Sequence, residues 1–153
     1  MILEYYSMPH AKHKPVRANP SDAGLDLKYN PDVGSQPVSI EPGQSMILGT
    51  GLKFGVPHGY MIQIMNRSGN AAKKKLMVGA CVVDSGYDGE VFVNLHNIGK
   101  KAQIINPGDK IAQAVVIPVV PARFVETSND NLYEWAPITI SDRGAGALGS
   151  TGR

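Results

Sequence analysis

Five short segments of this chain carry residues whose types and spacing could do chemistry. In Val82-Val83-Asp84-Ser85-Gly86-Tyr87-Asp88-Gly89-Glu90, turn glycines join two apolar runs, and Asp84 directly follows two β-branched residues. A carboxylate at the end of a buried strand can act as a general base towards water, although aspartates with no such duty are also common in turns. In Asn66-Arg67-Ser68-Gly69, Arg67 offers a planar fork to a phosphate, and Ser68 can either cap a short helix or donate to a bridging oxygen. Asp22-Ala23-Gly24-Leu25-Asp26-Leu27 turns on a glycine into a strand bearing an acid. Gly108-Asp109-Lys110-Ile111-Ala112-Gln113 is a second turn into a strand, and a glutamine in that apolar run needs a structural hydrogen bond or a ligand contact. The fifth segment, RGAGALGSTGR at 143–153, combines four glycines with Ser150, Thr151, Arg143 and Arg153. Such a stretch can point N–H, hydroxyl and guanidinium donors at an anion, or it can be a plain flexible linker. GAGALGST comes near the phosphate-loop pattern G-x-x-x-x-G-K-S/T, but Ser150 stands in the lysine position and no strand clearly feeds it, which disfavours a phosphate-loop triphosphatase.

These segments need a scaffold, and the composition indicates which kind. At 153 residues the chain fits one domain that can bury its own core without disulfide or structural metal. A net charge of +2 is too small to make a nucleic-acid or membrane-surface protein on composition alone, so any polyanion site must be local. The lone Cys81 excludes an intrachain disulfide and a cysteine-cluster zinc site, and it fits a reducing compartment, the cytoplasm. The opening MILEYYSMPHAKHK has no export pattern, and IAQAVVIPVV is interrupted by Gln113 and Pro118, so no membrane association is expected.

With 17 glycines, 11 prolines and 18% charged residues, turns outnumber long solvated helices. Short β-branched runs occupy 25–29, 45–54, 60–65, 90–97 and 109–120. In EVFVNLHN at 90–97, Val91, Val93 and Leu95 share one face while Phe92, Asn94 and His96 share the other, which is strand periodicity. Turn signals at Glu41-Pro42-Gly43-Gln44, Pro57-His58-Gly59 and Asn106-Pro107-Gly108-Asp109 predict an all-β barrel or distorted jelly roll. NAAKKKL, after Gly69, offers only short helical turns. The organisation expected is a β-barrel over 1–125, a polar connecting segment over 126–142 and a flexible phosphate-binding tail over 143–153.

Taken in order, AGLDL at 23–27, RSG at 67–69, GACVVDSGYDGEV at 79–91, PGDKIAQ at 107–113 and RGAGALGSTG at 143–152 resemble the five motifs of the homotrimeric deoxyuridine triphosphatases (dUTPases). The resemblance spans nearly the whole chain and implies a β-clip fold. It also implies hydrolysis of dUTP to dUMP and pyrophosphate, with Mg²⁺ held mainly by substrate phosphates and water. Asp84 would then prime water for attack on the α-phosphorus, and Gln113 and Ser68 would place that phosphate. Arg67, Ser68 and Gly69 would bind the phosphate chain, while Asp26 would support the site or reach the metal through water. The 79–87 hairpin, with Cys81 and Val83, would read the uracil edge, and Tyr87 would lie against the deoxyribose. Arg143, Leu148, Gly149, Ser150 and Thr151 would close over the nucleotide, the tail coming from another subunit of a trimer with shared sites.

Three features depart from that family's pattern. Leu148 stands where a stacking phenylalanine is usual, preceded by Ala147 in place of glycine, Cys81 stands where glycine is common, and 126–142 is longer than in compact relatives. Two other functions compete. A dCTP deaminase of the same fold needs a glutamate where Asn94 stands, and a regulatory β-module could keep the pocket but act through partners. Tyr133 and Trp135 could serve such a partner or lie in an exposed loop, and Lys73-Lys74-Lys75, without interleaved aromatics, reads as a solvated face. His10, His13, His58 and His96 lack metal-ligand spacing.

Overall fold

Glycine-bearing turns set many of the strand boundaries. In each of 41–44, 57–60 and 106–109 the fourth residue's N–H donates to the first residue's carbonyl, at 3.0, 3.2 and 3.0 Å. The third residue, Gly43, Gly59 or Gly108, has φ of 78°, 84° or 88°. A type II turn demands that left-handed conformation at its third position, which explains why proline-glycine and histidine-glycine stand there. The computed structural model describes residues 1–34, 36–128, 130, 132–133 and 135–137. The chain divides into two compact units, Met1–Pro121 and Ala122–Arg153. Arg143, Leu148, Gly149, Ser150 and Thr151 lie outside the described residues, as does the rest of 138–153.

The strands, all in the first unit, are β1 (Tyr5–Ser7), β2 (Leu25–Lys28), β3 (Val38–Ile40), β4 (Ser45–Gly49), β5 (Leu52–Phe54) and β6 (Tyr60–Met65). They continue with β7 (Leu76–Val78), β8 (Val82–Val83), β9 (Phe92–Asn97), β10 (Gln103–Ile105) and β11 (Lys110–Pro118). They form a four-stranded sheet in the order β2-β11-β6-β8, a three-stranded sheet β4-β9-β7, and the pairs β1-β5 and β3-β10. Every pairing is antiparallel, so the fold is all-β.

The inner faces of both larger sheets supply one core. Leu27, Ile62 and Ile111 come from the four-stranded sheet, and Leu48, Leu76 and Leu95 from the three-stranded one. Burying each such side chain contributes roughly 1.5–3 kcal/mol. β9 alternates as its sequence predicts: Val93 and Leu95 are 0% and 1% exposed, whereas Phe92 is 48% exposed.

Two local expectations need correction. The run 45–54 is not one strand, because it breaks at Thr50-Gly51 into β4 and β5, which belong to different sheets. Gly51 has φ of 66° and lies so close to Ala11 that a side chain would meet its Cα at 3.2 Å. Thr50, fully buried, donates its hydroxyl to the Val91 carbonyl at 2.6 Å. The predicted helical turns are a single π-helical turn, Asn70–Lys74, ended by Lys75 in the left-handed region at φ 58°. Ser68 does not cap it: the N-cap is Gly69 and no side chain bonds there. Among the described residues no helix is long and apolar enough to cross a membrane.

Candidate active site

β2 and β11 bring the first and fourth segments side by side. Gln113 is the cross-strand partner of Asp26 on one side and of Met65 on β6 on the other. A register shift between Lys110 and Ala112 bulges the strand beside them. Asp26 receives two cations: Oδ1 accepts from Arg67 Nε and Oδ2 from Lys110 Nζ, each at 2.8 Å. Burial alone would raise the Asp26 pKa, but the hydrogen bonds and charges of Lys110 and Arg67 outweigh it and hold the carboxyl below its usual value. Because Arg67 uses only Nε here, its terminal nitrogens carry no hydrogen bond among the described residues.

The next contacts explain how Gln113 and the Arg67-Ser68-Gly69 segment are fixed. Gln113 Nε2 donates to the Asn66 carbonyl at 2.9 Å, which answers its need for a structural partner. A β-carbon on Gly24 would collide with the Gln113 carboxamide, with its carbon at 2.8 Å, so this glycine makes room for Gln113. Asn66 Oδ1 accepts from Val78 N–H at 2.7 Å, and buried Asn70 donates to the carbonyls of Lys110 and Ile111 at 3.0 and 3.3 Å. Ser68 and Gly69, held between these two asparagines, are exposed. Nothing lies within 4 Å of a β-carbon placed on Gly69, whose φ is −65°, so neither crowding nor backbone strain within the chain requires glycine there. The result is a cradle of unengaged donors backed by the Asp26 ion pairs, and it suits an anion.

The hairpin builds a different half-site. A cavity of about 370 Å³ is lined by Ala80 to Asp84, Tyr87, Glu90 to Phe92, and Ile64. It therefore brings together Cys81, Val83, Asp84 and Tyr87. The Cys81 carbonyl accepts from Ile64 N–H at 2.7 Å, while its own N–H has no partner among the described residues. Asp84 closes the hairpin tip by accepting from Tyr87 N–H at 3.3 Å through its carbonyl, with Gly86 at φ 82°. Its carboxylate is exposed and has no hydrogen bond or ion pair among the described residues.

The two half-sites do not meet within one protomer. Val83 pairs with Ile62, which puts Asp84 beside Met61 at the start of β6, whereas Arg67 and Ser68 follow its end. At about 3.3 Å per residue, the separation along the strand is about 20 Å to Arg67 and about 13 Å to the Met65–Gln113 rung. Within one chain, Asp84 is therefore out of reach of Ser68 and Gln113.

No three His, Cys, Asp or Glu side chains among the described residues are arranged to hold a metal ion. Asp26 spends both oxygens on cations. With both Asp26 oxygens engaged, a water-mediated contact to a hydrated Mg²⁺ fits this carboxylate better than a direct one. Sequence reasoning missed Lys110, Asn66 and Asn70 as parts of the site. Lys110 lies in PGDKIAQ and Asn66 opens Asn66-Arg67-Ser68-Gly69, but nothing in a single sequence marks the first as facing Asp26 or the second as accepting from Val78 N–H. At Asn94, Oδ1 lies 2.8 Å from His96 Nε2, so an amide bonded to a ring nitrogen occupies the position where a deaminase needs a carboxylate.

Comparison with known proteins supplies independent evidence. The dUTPase family model matches residues 10–152. The chain is 39% identical over 140 residues to the deoxyuridine 5′-triphosphate nucleotidohydrolase of Chlamydia muridarum, covering 90% of both chains, and 36% identical to that of Chlamydia felis with the same coverage. Its fold resembles that of a Staphylococcus bacteriophage 80alpha dUTPase variant solved with dUpNHpp, with a TM-score of 0.83, 21% identity and 99% of each chain covered. It also resembles a dUTPase variant from phage phi11 of S. aureus, described with a structural Mg(II) ion, with a TM-score of 0.75, 22% identity and coverage of 86% of this chain and 99% of that one.

Proposed function

Since the chain belongs to the dUTPase family and is a deoxyuridine 5′-triphosphate nucleotidohydrolase, we propose that Asp84 is its general base and that each active site is shared between chains of a homotrimer. One observation carries this reading. An unengaged carboxylate beside a cavity and an anion cradle sit at opposite ends of β6, each lacking what the other holds.

Asp84 takes the proton of a water whose oxygen bonds to the α-phosphorus, while the bond from that phosphorus to the bridging oxygen breaks and pyrophosphate leaves. Arg67 presents its free terminal nitrogens, Ser68 its hydroxyl and Gly69 an uncrowded backbone to the phosphate chain, and Gln113 positions the α-phosphate. Most of the rate then comes from holding these groups in line. Asp26, with both oxygens occupied, supports the site by aiming Arg67 and Lys110. Mg²⁺, bound through the substrate phosphates and water with Asp26 reaching it only through water, would supply neutralisation of charge on the pyrophosphate leaving group. Cys81 and Val83 line the pocket for the uracil edge, and Tyr87 lies against the deoxyribose. Arg143, Leu148, Gly149, Ser150 and Thr151 are assigned to the cover by the motif order alone. The lone cysteine fits the cytoplasm, and no nucleic-acid or membrane partner enters this function.

Pyrophosphate release from dUTP, with dTTP, dCTP and UTP as controls, tests the assignment. Release confined to dUTP and abolished in Asp84→Asn is the expected result, and ammonia release from dCTP would replace it with deamination.

A further inference from the structure

We propose that Glu90 is a positioning residue for sugar selectivity: it fixes Tyr87 and so sets how well the enzyme refuses a ribonucleotide. The inference rests on the reading that Tyr87 lies against the deoxyribose.

Tyr87 is held at its backbone and at its hydroxyl. Its N–H closes the turn onto the Asp84 carbonyl at 3.3 Å, and its hydroxyl donates to the Glu90 carbonyl at 2.8 Å. The ring folds directly over Gly89, where a β-carbon would run into the phenol and stand 2.9 Å from Cε2. An aromatic side chain at an exposed hairpin tip would otherwise sample several rotamers, so the Glu90 carbonyl is what selects one.

Glu90 is itself anchored. Its carboxylate turns inward, is 13% exposed, and accepts from Gly51 N–H at 2.7 Å. Gly49 leaves space for it, since a β-carbon there would lie 2.8 Å from the same oxygen. Behind it stands His10, with Nε2 3.7 Å from Glu90 Oε1 and Nδ1 3.4 Å from Asp32 Oδ1. That Nε2 is buried without a hydrogen-bond partner among the described residues, so the imidazole packs beside the Glu90 carboxylate without bonding it. The neighbouring Val91 donates to the Leu52 carbonyl at 2.8 Å and accepts the Thr50 hydroxyl. The bend between β4 and β5 thus holds residues 90 and 91 through the Glu90 carboxylate, the Thr50 hydroxyl and two backbone bonds, the second being Thr50 N–H to the Val91 carbonyl at 3.3 Å. Removing the carboxylate leaves the Gly51 N–H unpaired and loosens the carbonyl that receives Tyr87.

The test is the ratio of kcat/KM for dUTP to that for UTP, measured on the full-length enzyme. Tyr87→Phe keeps the ring but loses the donor, and Glu90→Ala loses the anchor; each is expected to lower the ratio about fivefold. The double variant should fall no further than the larger single effect, because both act through one contact. Glu90→Gln, which still offers an acceptor to Gly51 N–H, should retain most of the ratio. A wild-type ratio in Tyr87→Phe or in folded Glu90→Ala, or effects that multiply in the double variant, would overturn the proposal. Should Glu90→Ala fail to fold, loss in Tyr87→Phe with retention in Glu90→Gln supports it, and any other pair of results overturns it. Tyr87→Ala separates the two levels. A wild-type ratio there removes Tyr87 from the sugar altogether, whereas a lowered ratio there with no change in Tyr87→Phe removes only the role of Glu90.

Discussion

Asp26 and Asp84 are two carboxylates with opposite surroundings, and the contrast matches the roles proposed for them. Asp84 is open to solvent and free of partners, as a base that must accept a proton from water needs to be. Asp84→Asn should lower kcat by roughly 10²–10⁴-fold with little change in substrate affinity, a split that pre-steady-state binding and turnover measurements can resolve. Asp26 is clamped between Arg67 and Lys110. Asp26→Asn should cost about 1–2 kcal/mol of stability, the lower part of the range for charged hydrogen bonds because both cations are partly exposed. Its pKa is lowered in the folded chain, so its contribution is complete above the ordinary aspartate value of 3.8 and fades as pH falls below it. Urea unfolding should therefore show a gap between wild type and Asp26→Asn at about pH 6 that narrows at about pH 3. An unchanged gap would mean that the ion pairs add nothing to stability.

Two glycines in neighbouring elements make opposite predictions. Gly24 leads into β2 and is filled from above by Gln113, so Gly24→Ala should displace that side chain, costing about 1–3 kcal/mol and lowering kcat/KM. Gly69 has open space around it, so Gly69→Ala should change stability by no more than about 0.5 kcal/mol, as surface changes do, yet raise KM if the phosphate chain approaches its backbone. A thermal melt paired with a KM measurement on each variant decides both. The contrast also marks how far the sequence could be read. Alternation in β9 and the three proline-glycine or histidine-glycine turns were visible because they depend on neighbours one to three residues apart. The break of 45–54 at Thr50-Gly51 was not, because it is imposed by Ala11 and Val91, distant in sequence. The asparagines that hold the site escaped for a related reason: Asn66 and Asn70 look like loop residues until Val78, Lys110 and Ile111 are seen to claim them. Gln113 was recognised as a polar residue in need of a partner, but which partner, the Asn66 carbonyl, depends on a strand pairing that no local pattern reveals.

At the scale of the molecule, β6 works as a spacer. It keeps Asp84 at one end and the Arg67-Ser68-Gly69 segment at the other, so under the proposed roles a single chain would contain both halves of the chemistry without combining them. The proposed trimer would solve this by giving each chain's Asp84 to a neighbour's cradle. Apolar side chains left open on the first unit, among them Tyr5, Tyr6 and Phe92, are surface such an assembly could cover. The arrangement predicts that two dead variants can repair each other. Asp84→Asn and Ser68→Ala chains, each inactive alone, should be unfolded together, refolded at equal concentration and assayed for pyrophosphate release from dUTP. Random assembly should restore activity to about a quarter of wild type, because a site is whole only when its cradle comes from one variant and its base from the other. A refolded mixture that is properly assembled but no more active than its two parents would contradict the shared site.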